Sequence, residues 1–155
     1  MSASSSSAAP RRAIVTGGAT NIGRAITEAL LARGYRVVVG ARRTETAASL
    51  VAAHGNRVIP LSVDIGDPAQ CQSFIAAAVE RLGGLDVLVN NAAVTGPNAV
   101  ARFADITPEH FRRVVDVNLG GVVFCSQAAV PHLRAAGGGV IVHISSINAF
   151  RPQQG

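Results

Sequence analysis

The sequence predicts a doubly wound α/β domain, and three observations carry that prediction. From Arg12 onward, short runs rich in β-branched residues alternate with longer amphipathic segments. The runs are apolar almost throughout, as strands covered on both faces are. Each segment between them is long enough to be a crossover helix, so the strands run parallel in one sheet, ordered 3-2-1-4-5.

Each element has its own signal. Ala13–Thr16 is a first apolar run, followed by a glycine turn. Ile22–Arg33 carries apolar residues at 22, 26, 30 and 31, which is helical spacing, and Gly34 stands where a C-cap belongs. Arg36–Gly40 is a second strand, and Thr44–His54 a second helix closed by Gly55. Val58–Asp64 is a third strand, with Pro60 inside it, which places it at an edge. Asp67 caps a helix running to Leu82, with Pro68 at its first position and Gly83–Gly84 closing it. Asp86–Asn90 is a fourth strand. Thr107-Pro108-Glu109 opens another helix, continuing to Ala136 with a bend near Asn118–Gly121 or Pro131. Val140–Ser145 is a fifth strand. A sheet stopping there is C-terminally incomplete and leaves an apolar edge. Residues 1–11 read as a Ser/Ala-rich tail, and 12–155 as one domain.

Composition narrows the function. Of 155 residues, 48% are apolar and 15% charged, which excludes disorder for the bulk of the chain. No unbroken apolar run approaches the ~18–20 residues of a membrane span. The net charge of +5 comes entirely from scattered arginines, and aromatics make up 4%, which argues against nucleic acid as partner. Cys71 and Cys125 share no motif and read as reduced packing residues of a cytoplasmic protein. The four histidines have no metal-ligand spacing, so no metal is expected.

The turn Thr16-Gly17-Gly18-Ala19-Thr20-Asn21-Ile22-Gly23 lies between a strand and a helix, where backbone N–H groups meet a pyrophosphate. Gly17 permits the tight turn and Gly23 a close approach. Asn21 stands where the common G-x-G-x-x-G pattern has its middle glycine, and Asn tolerates left-handed backbone angles. The expected ligand is a dinucleotide.

Four motifs in order carry a family resemblance. Thr16-Gly17…Asn21-Ile22-Gly23 resembles the cofactor loop of the short-chain dehydrogenase/reductase family. Asn90-Asn91-Ala92-Ala93 is similar to its N-N-A-G motif, with Ala93 in place of glycine. Val117-Asn118 matches the position of its catalytic asparagine, and Ile144-Ser145-Ser146 that of its catalytic serine. The resemblance covers residues 12–155 and implies a Rossmann-type fold. By the same resemblance Gly17, Asn21, Ile22 and Gly23 hold the pyrophosphate, Asp64 meets the adenine, and Asn91 and Ala92 line the cofactor. Asn118 would hold a water in a proton relay, and Ser146, or Ser145 one register away, would bind the substrate oxygen. Asn118 as a helix breaker and Asp64 as a loop cap are the plainer readings.

The end of strand two distinguishes the two nicotinamide cofactors. An acid there, ~20 residues past the loop, would bind the ribose hydroxyl of NAD. Here the strand ends Gly40-Ala41-Arg42-Arg43, with no carboxylate. Arg42, with Arg43, suits the 2′-phosphate of NADP(H), unless both are solvated surface charges. A methyltransferase would also want an acid there.

The family's acid/base is a Tyr-x-x-x-Lys, whose cation lowers the tyrosine pKa. This chain has no lysine and one tyrosine, Tyr35, which precedes strand two. The family's tyrosine position falls just past Gly155. The expectation is therefore the N-terminal part of an NADP(H)-dependent reductase of small carbonyl or alcohol substrates, not active alone and homo-oligomeric at full length. A non-catalytic NADP(H)-binding or regulatory module is the alternative. Val94–Phe103 and Asn148–Gly155 would border the substrate pocket. Val122–Leu133 would mediate oligomerisation or pack against the sheet of its own chain.

Overall fold

The computed structural model describes residues 10–96 and 99–149. Five strands, β1 (Arg12–Thr16), β2 (Arg36–Ala41), β3 (Val58–Ser62), β4 (Val87–Asn90) and β5 (Val140–His143), form one sheet in the order β3-β2-β1-β4-β5. Every neighbouring pair is parallel. The helices are α1 (Asn21–Ala32), α2 (Ala48–His54), α3 (Pro68–Leu82), α4 (Pro108–Val115) and α5 (Gly121–Ala135). The fold class and strand order are those expected from the sequence.

Alternate strand residues feed two cores. Ile14, Val38 and Leu88 point into one, against Phe74 and Ile75 of α3 and Cys125 and Ala129 of α5. Ala13, Val15, Val37, Val39 and Val89 point into the other, against Leu31 of α1 and Leu50 of α2. Both faces of β1, β2 and β4 are covered, which is why those strands read as continuous apolar runs, whereas Val140 and Val142 of β5 are exposed. Pro60 sits on β3, the edge strand, where its missing N–H costs no inner ladder bond.

Local punctuation works as read. Asp67 accepts from the Ala69 and Gln70 amides to cap α3, and Gly83 ends that helix at φ 76°. Thr107 accepts from the His110 amide at the start of α4. The scattered arginines have a structural use: several donate to carbonyls at or near helix ends. Arg57 reaches Leu31 O, Arg36 reaches Arg81 O, and Arg12 reaches Gly83 O. A cation there also suits the negative end of a helix dipole.

Three boundaries differ from expectation by more than one residue. The segment 44–54 begins as a 3-10 turn, Thr44–Ala47, before becoming α-helical. Strand β3 stops at Ser62 because Asp64 turns the chain: its carboxylate accepts from the Gly66 amide and its carbonyl from Asp67. Strand β5 stops at His143 because its partner β4 ends at Asn90, whose carbonyl accepts the last amide, from Ile144. Both serines therefore lie beyond the strand.

The bend between α4 and α5 is a π turn, Asp116–Gly120, while Pro131 lies inside α5 without ending it. The stretch Pro108–Ala135 is helical for 28 residues and, among the described residues, is the one helix long and apolar enough to cross a membrane. Its Gly121, Cys125, Ala129 and Leu133 are instead buried in the domain, so the part expected at Val122–Leu133 packs one face on its own chain. Cys71 and Cys125 are free, buried and in contact between α3 and α5, and Cys71 donates to Ile65 O. The Cys71 contact, followed by burial, pushes the Cys125 thiol far up, so it stays a neutral packing group.

Candidate dinucleotide site

The site begins with β1, whose last residue, Thr16, is fully buried. Its hydroxyl accepts the amides of Asn91 at 3.0 Å and Ala92 at 3.1 Å, and donates to Val89 O at 3.4 Å. This ties the end of β1 to the chain leaving β4. The Asn91 side-chain amide completes the tie, donating to Thr16 O at 3.0 Å and Gly17 O at 3.2 Å. The turn that follows is braced before any ligand arrives.

Glycine is required here by space as well as by angle. Gly17 has φ 64°, and a Cβ on it would lie 2.9 Å from Ala92 Cα. A Cβ on Gly23 would overlap Gly17 O and stand 2.5 Å from the Asn91 amide nitrogen. Asn21 adopts φ 49°, alone among the described non-glycine residues in having a positive value. Thr20 precedes α1 without capping it by its side chain, and the first turn holds no acid. The amides of that turn therefore face outward with the positive end of the helix dipole, the arrangement an anion prefers.

A cavity of about 710 Å³ opens over the C-terminal ends of the strands. Among the expected site residues, Gly17, Arg42, Asp64 and Ala92 line it, together with Arg43. Asn21, Ile22, Gly23, Asn91, Asn118 and Ser146 are not in its wall. Gly23 and Asn91 shape the turn from behind, while the Ile22 side chain is exposed.

Asn118 lies in the π turn and grips the loop after β4. Its Oδ1 accepts from the Val94 amide at 2.8 Å, and its Nδ2 donates to Val94 O at 3.0 Å. One lone pair on Oδ1 and one N–H on Nδ2 remain for a water. Ser146 is exposed beyond β5, and its carbonyl accepts from Ala149 at the 3-10 turn Ile147–Ala149. The pocket border expected at 148–155 falls largely outside the described residues, as do 97 and 98 of the other border.

Among the wall residues that sequence reasoning missed are His110 and Arg113, both on α4. Arg113 pairs with Asp64 at 3.0 Å. The net effect of Asp64's surroundings lowers its pKa: burial alone would raise it, but Arg113, the Gly66 amide and Arg42 outweigh burial. The available signal was spacing, because Arg113 lies one turn before buried Val117 on the same helical line. Among the described residues no three His, Cys, Asp or Glu side chains come together as a metal site.

Comparison with known proteins decides the family. The short chain dehydrogenase family model matches residues 11–155. The chain belongs to that family. This short-chain dehydrogenase chain is 39% identical over 142 residues to 2-(R)-hydroxypropyl-CoM dehydrogenase of Xanthobacter autotrophicus, covering 88% of this chain and 56% of that one. It is 36% identical over 145 residues to L-rhamnose 1-dehydrogenase (NAD(P)(+)) of Azotobacter vinelandii, covering 88% and 56%. A solved short-chain dehydrogenase from Streptomyces avermitilis superposes with a TM-score of 0.83 at 36% identity, covering 90% of this chain and 50% of that one. The chain spans about half the length of the curated relatives it matches.

Proposed function

We propose that the chain is the cofactor-binding part of an NADP(H)-dependent oxidoreductase acting on a small carbonyl or alcohol. The observation that carries the cofactor choice is the end of β2. There Arg42 and Arg43 enter the cavity wall, and the strand end itself, Gly40-Ala41-Arg42-Arg43, offers no carboxylate to take a ribose hydroxyl. A guanidinium binds a phosphate bidentately, whereas a carboxylate in its place would repel it. The fit extends along the cavity: Gly17 and Gly23 keep side chains off the turn, and α1 presents its uncapped amides to the diphosphate. When bound, the dinucleotide supplies or accepts the hydride exchanged with the substrate carbon.

The remaining roles belong to this chain's own residues. Asn91 braces the turn, and Asn118 holds Val94 at the cavity wall while keeping hydrogen-bonding capacity for a water. Ser146, with Ser145 beside it, is assigned to the substrate oxygen. Tyr35 is unsuited as acid/base: it is buried at the N-terminal end of β2, opposite the cavity, and accepts from Arg11 at 3.2 Å. No acid/base is assigned among the 155 residues, which hold no lysine. We further assign the protein to the cytoplasm and to a homo-oligomer. Phe111, Leu119 and Val123, exposed along α4–α5, support the second assignment.

A second reading is a module that binds NADP(H) without turnover. Calorimetry tests the binding that both readings share. NADPH should bind at least about tenfold more tightly than NADH, as charge-assisted hydrogen bonds to one phosphate imply, and Arg42→Asp should remove the preference. Equal affinities for the two dinucleotides would end the NADP assignment. Oxidation of NADPH by a carbonyl panel separates the readings: turnover by a longer chain carrying Tyr-x-x-x-Lys supports the enzyme, and its absence there supports the module.

A further inference from the structure

The cavity wall holds one ion pair that joins two distant segments. Asp64 follows β3, and Arg113 comes from α4, 49 positions later in the chain. The Asp64 carboxylate is gripped at both oxygens: Oδ1 accepts from the Gly66 amide at 3.0 Å, and Oδ2 meets the Arg113 guanidinium at 3.0 Å. Gly66 also makes room for this pair, since a Cβ there would stand 2.6 Å from Arg113 Nη1. Each carboxylate oxygen still has a lone pair, and both residues line the cavity beside Gly17 and Arg42. A carboxylate held this way is a fixed acceptor aimed by its neighbours.

We propose that Arg113 is a positioning residue, holding the Asp64 carboxylate in the orientation that accepts the amino group of the adenine base. This rests on the reading of the cavity as a dinucleotide site. Without Arg113, Asp64 would keep one fixed partner, the Gly66 amide, and could turn away from the base. The charged and titratable groups around Asp64 are Arg113 on α4, Arg42 after β2, and Asp67 and Cys71 at the start of α3, with His110 in the same wall. Arg113 outranks Arg42 among those that hold the carboxylate ionised. Its removal should therefore move the acid loss of dinucleotide affinity to higher pH.

The test uses the full chain and two probes, NADP+ and its hypoxanthine analogue, which places an oxygen where the adenine amino group stood. Loss of one hydrogen bond to a charged acceptor predicts that the wild type prefers NADP+ by about tenfold. Arg113→Met should shrink that preference to about twofold or less, and Arg113→Lys should restore most of it, by the same charge argument. Asp64→Asn should abolish the preference whichever residue stands at 113. The acid limb of NADP+ affinity should lie at higher pH in Arg113→Met than in the wild type or Arg113→Lys. Equal weakening of both probes by Arg113→Met, with the preference intact, would make Arg113 merely structural and overturn the inference. A wild type that binds NADP+ but does not discriminate the bases overturns it alone. A wild type that binds neither probe overturns the dinucleotide reading and this inference together.

Discussion

The side-chain amide of Asn91 donates to the carbonyls of Thr16 and Gly17, at 3.0 and 3.2 Å, so one residue after β4 holds the turn after β1. The turn's shape is thus set from a neighbouring strand as well as by its own glycines. Asn91→Ala would free two carbonyls beside a close-packed turn. We expect a loss of about 1–3 kcal/mol in urea unfolding, together with weaker dinucleotide binding by calorimetry. Full stability and affinity in the variant would show that the brace does not shape the turn.

Thr16 offers a sharper contrast. Its buried hydroxyl serves two amides and one carbonyl. Thr16→Val keeps the volume but leaves both amides without an acceptor, for an expected cost of about 1–3 kcal/mol. Thr16→Ser keeps the hydroxyl and should cost about 1 kcal/mol, the value of the lost methyl group. Thermal midpoints of the two variants in that order check the assignment.

Two glycines should respond differently to a single methyl group. Gly23→Ala drives a Cβ into Gly17 O, with an expected cost of about 1–3 kcal/mol and reduced dinucleotide affinity. Gly34 has φ 82° with nothing within 4 Å of its Cβ position. Gly34→Ala should therefore cost about 1–2 kcal/mol from backbone strain alone and leave affinity unchanged. Calorimetric titration of both variants separates crowding at the site from strain away from it.

At the other end of the sheet, Arg12 and Asp86 tie the start of β1 to the start of β4. Arg12 donates from its amide, its Nε and its Nη2 to the one carboxylate, at 2.7, 3.0 and 2.7 Å. Arg12 holds the Asp86 carboxyl below its usual range, so the folded pKa lies beneath the unfolded one. The stabilisation is then complete above the unfolded value of about 3.9 and is lost as pH falls through the lower, folded value. With side chains 25% and 29% exposed, Asp86→Asn should cost about 1–2 kcal/mol at neutral pH. The difference from wild type should close below about pH 4 in urea unfolding followed across pH. A difference that persists undiminished in acid would rule out the charge as its source.

Short-range chemistry was enough for much of this protein. Asp67 and Thr107 cap helices as their positions before Pro68 and Pro108 predict, and Asn21 takes the left-handed angle its place in the turn demands. Pro60 marked the edge strand, and the apolar runs marked inner strands buried on both faces. These signals are legible because each depends on a residue and its next few neighbours. The Asn91 brace, the Asn118 grip on Val94 and the Arg113–Asp64 pair join positions 24 to 75 residues apart. No spacing rule reaches that far, since such contacts exist only once the strands have paired and α4 has docked. Sequence therefore determined the scaffold and where the turn lies. Tertiary packing decided which side chains face the cavity and which ones hold it in shape.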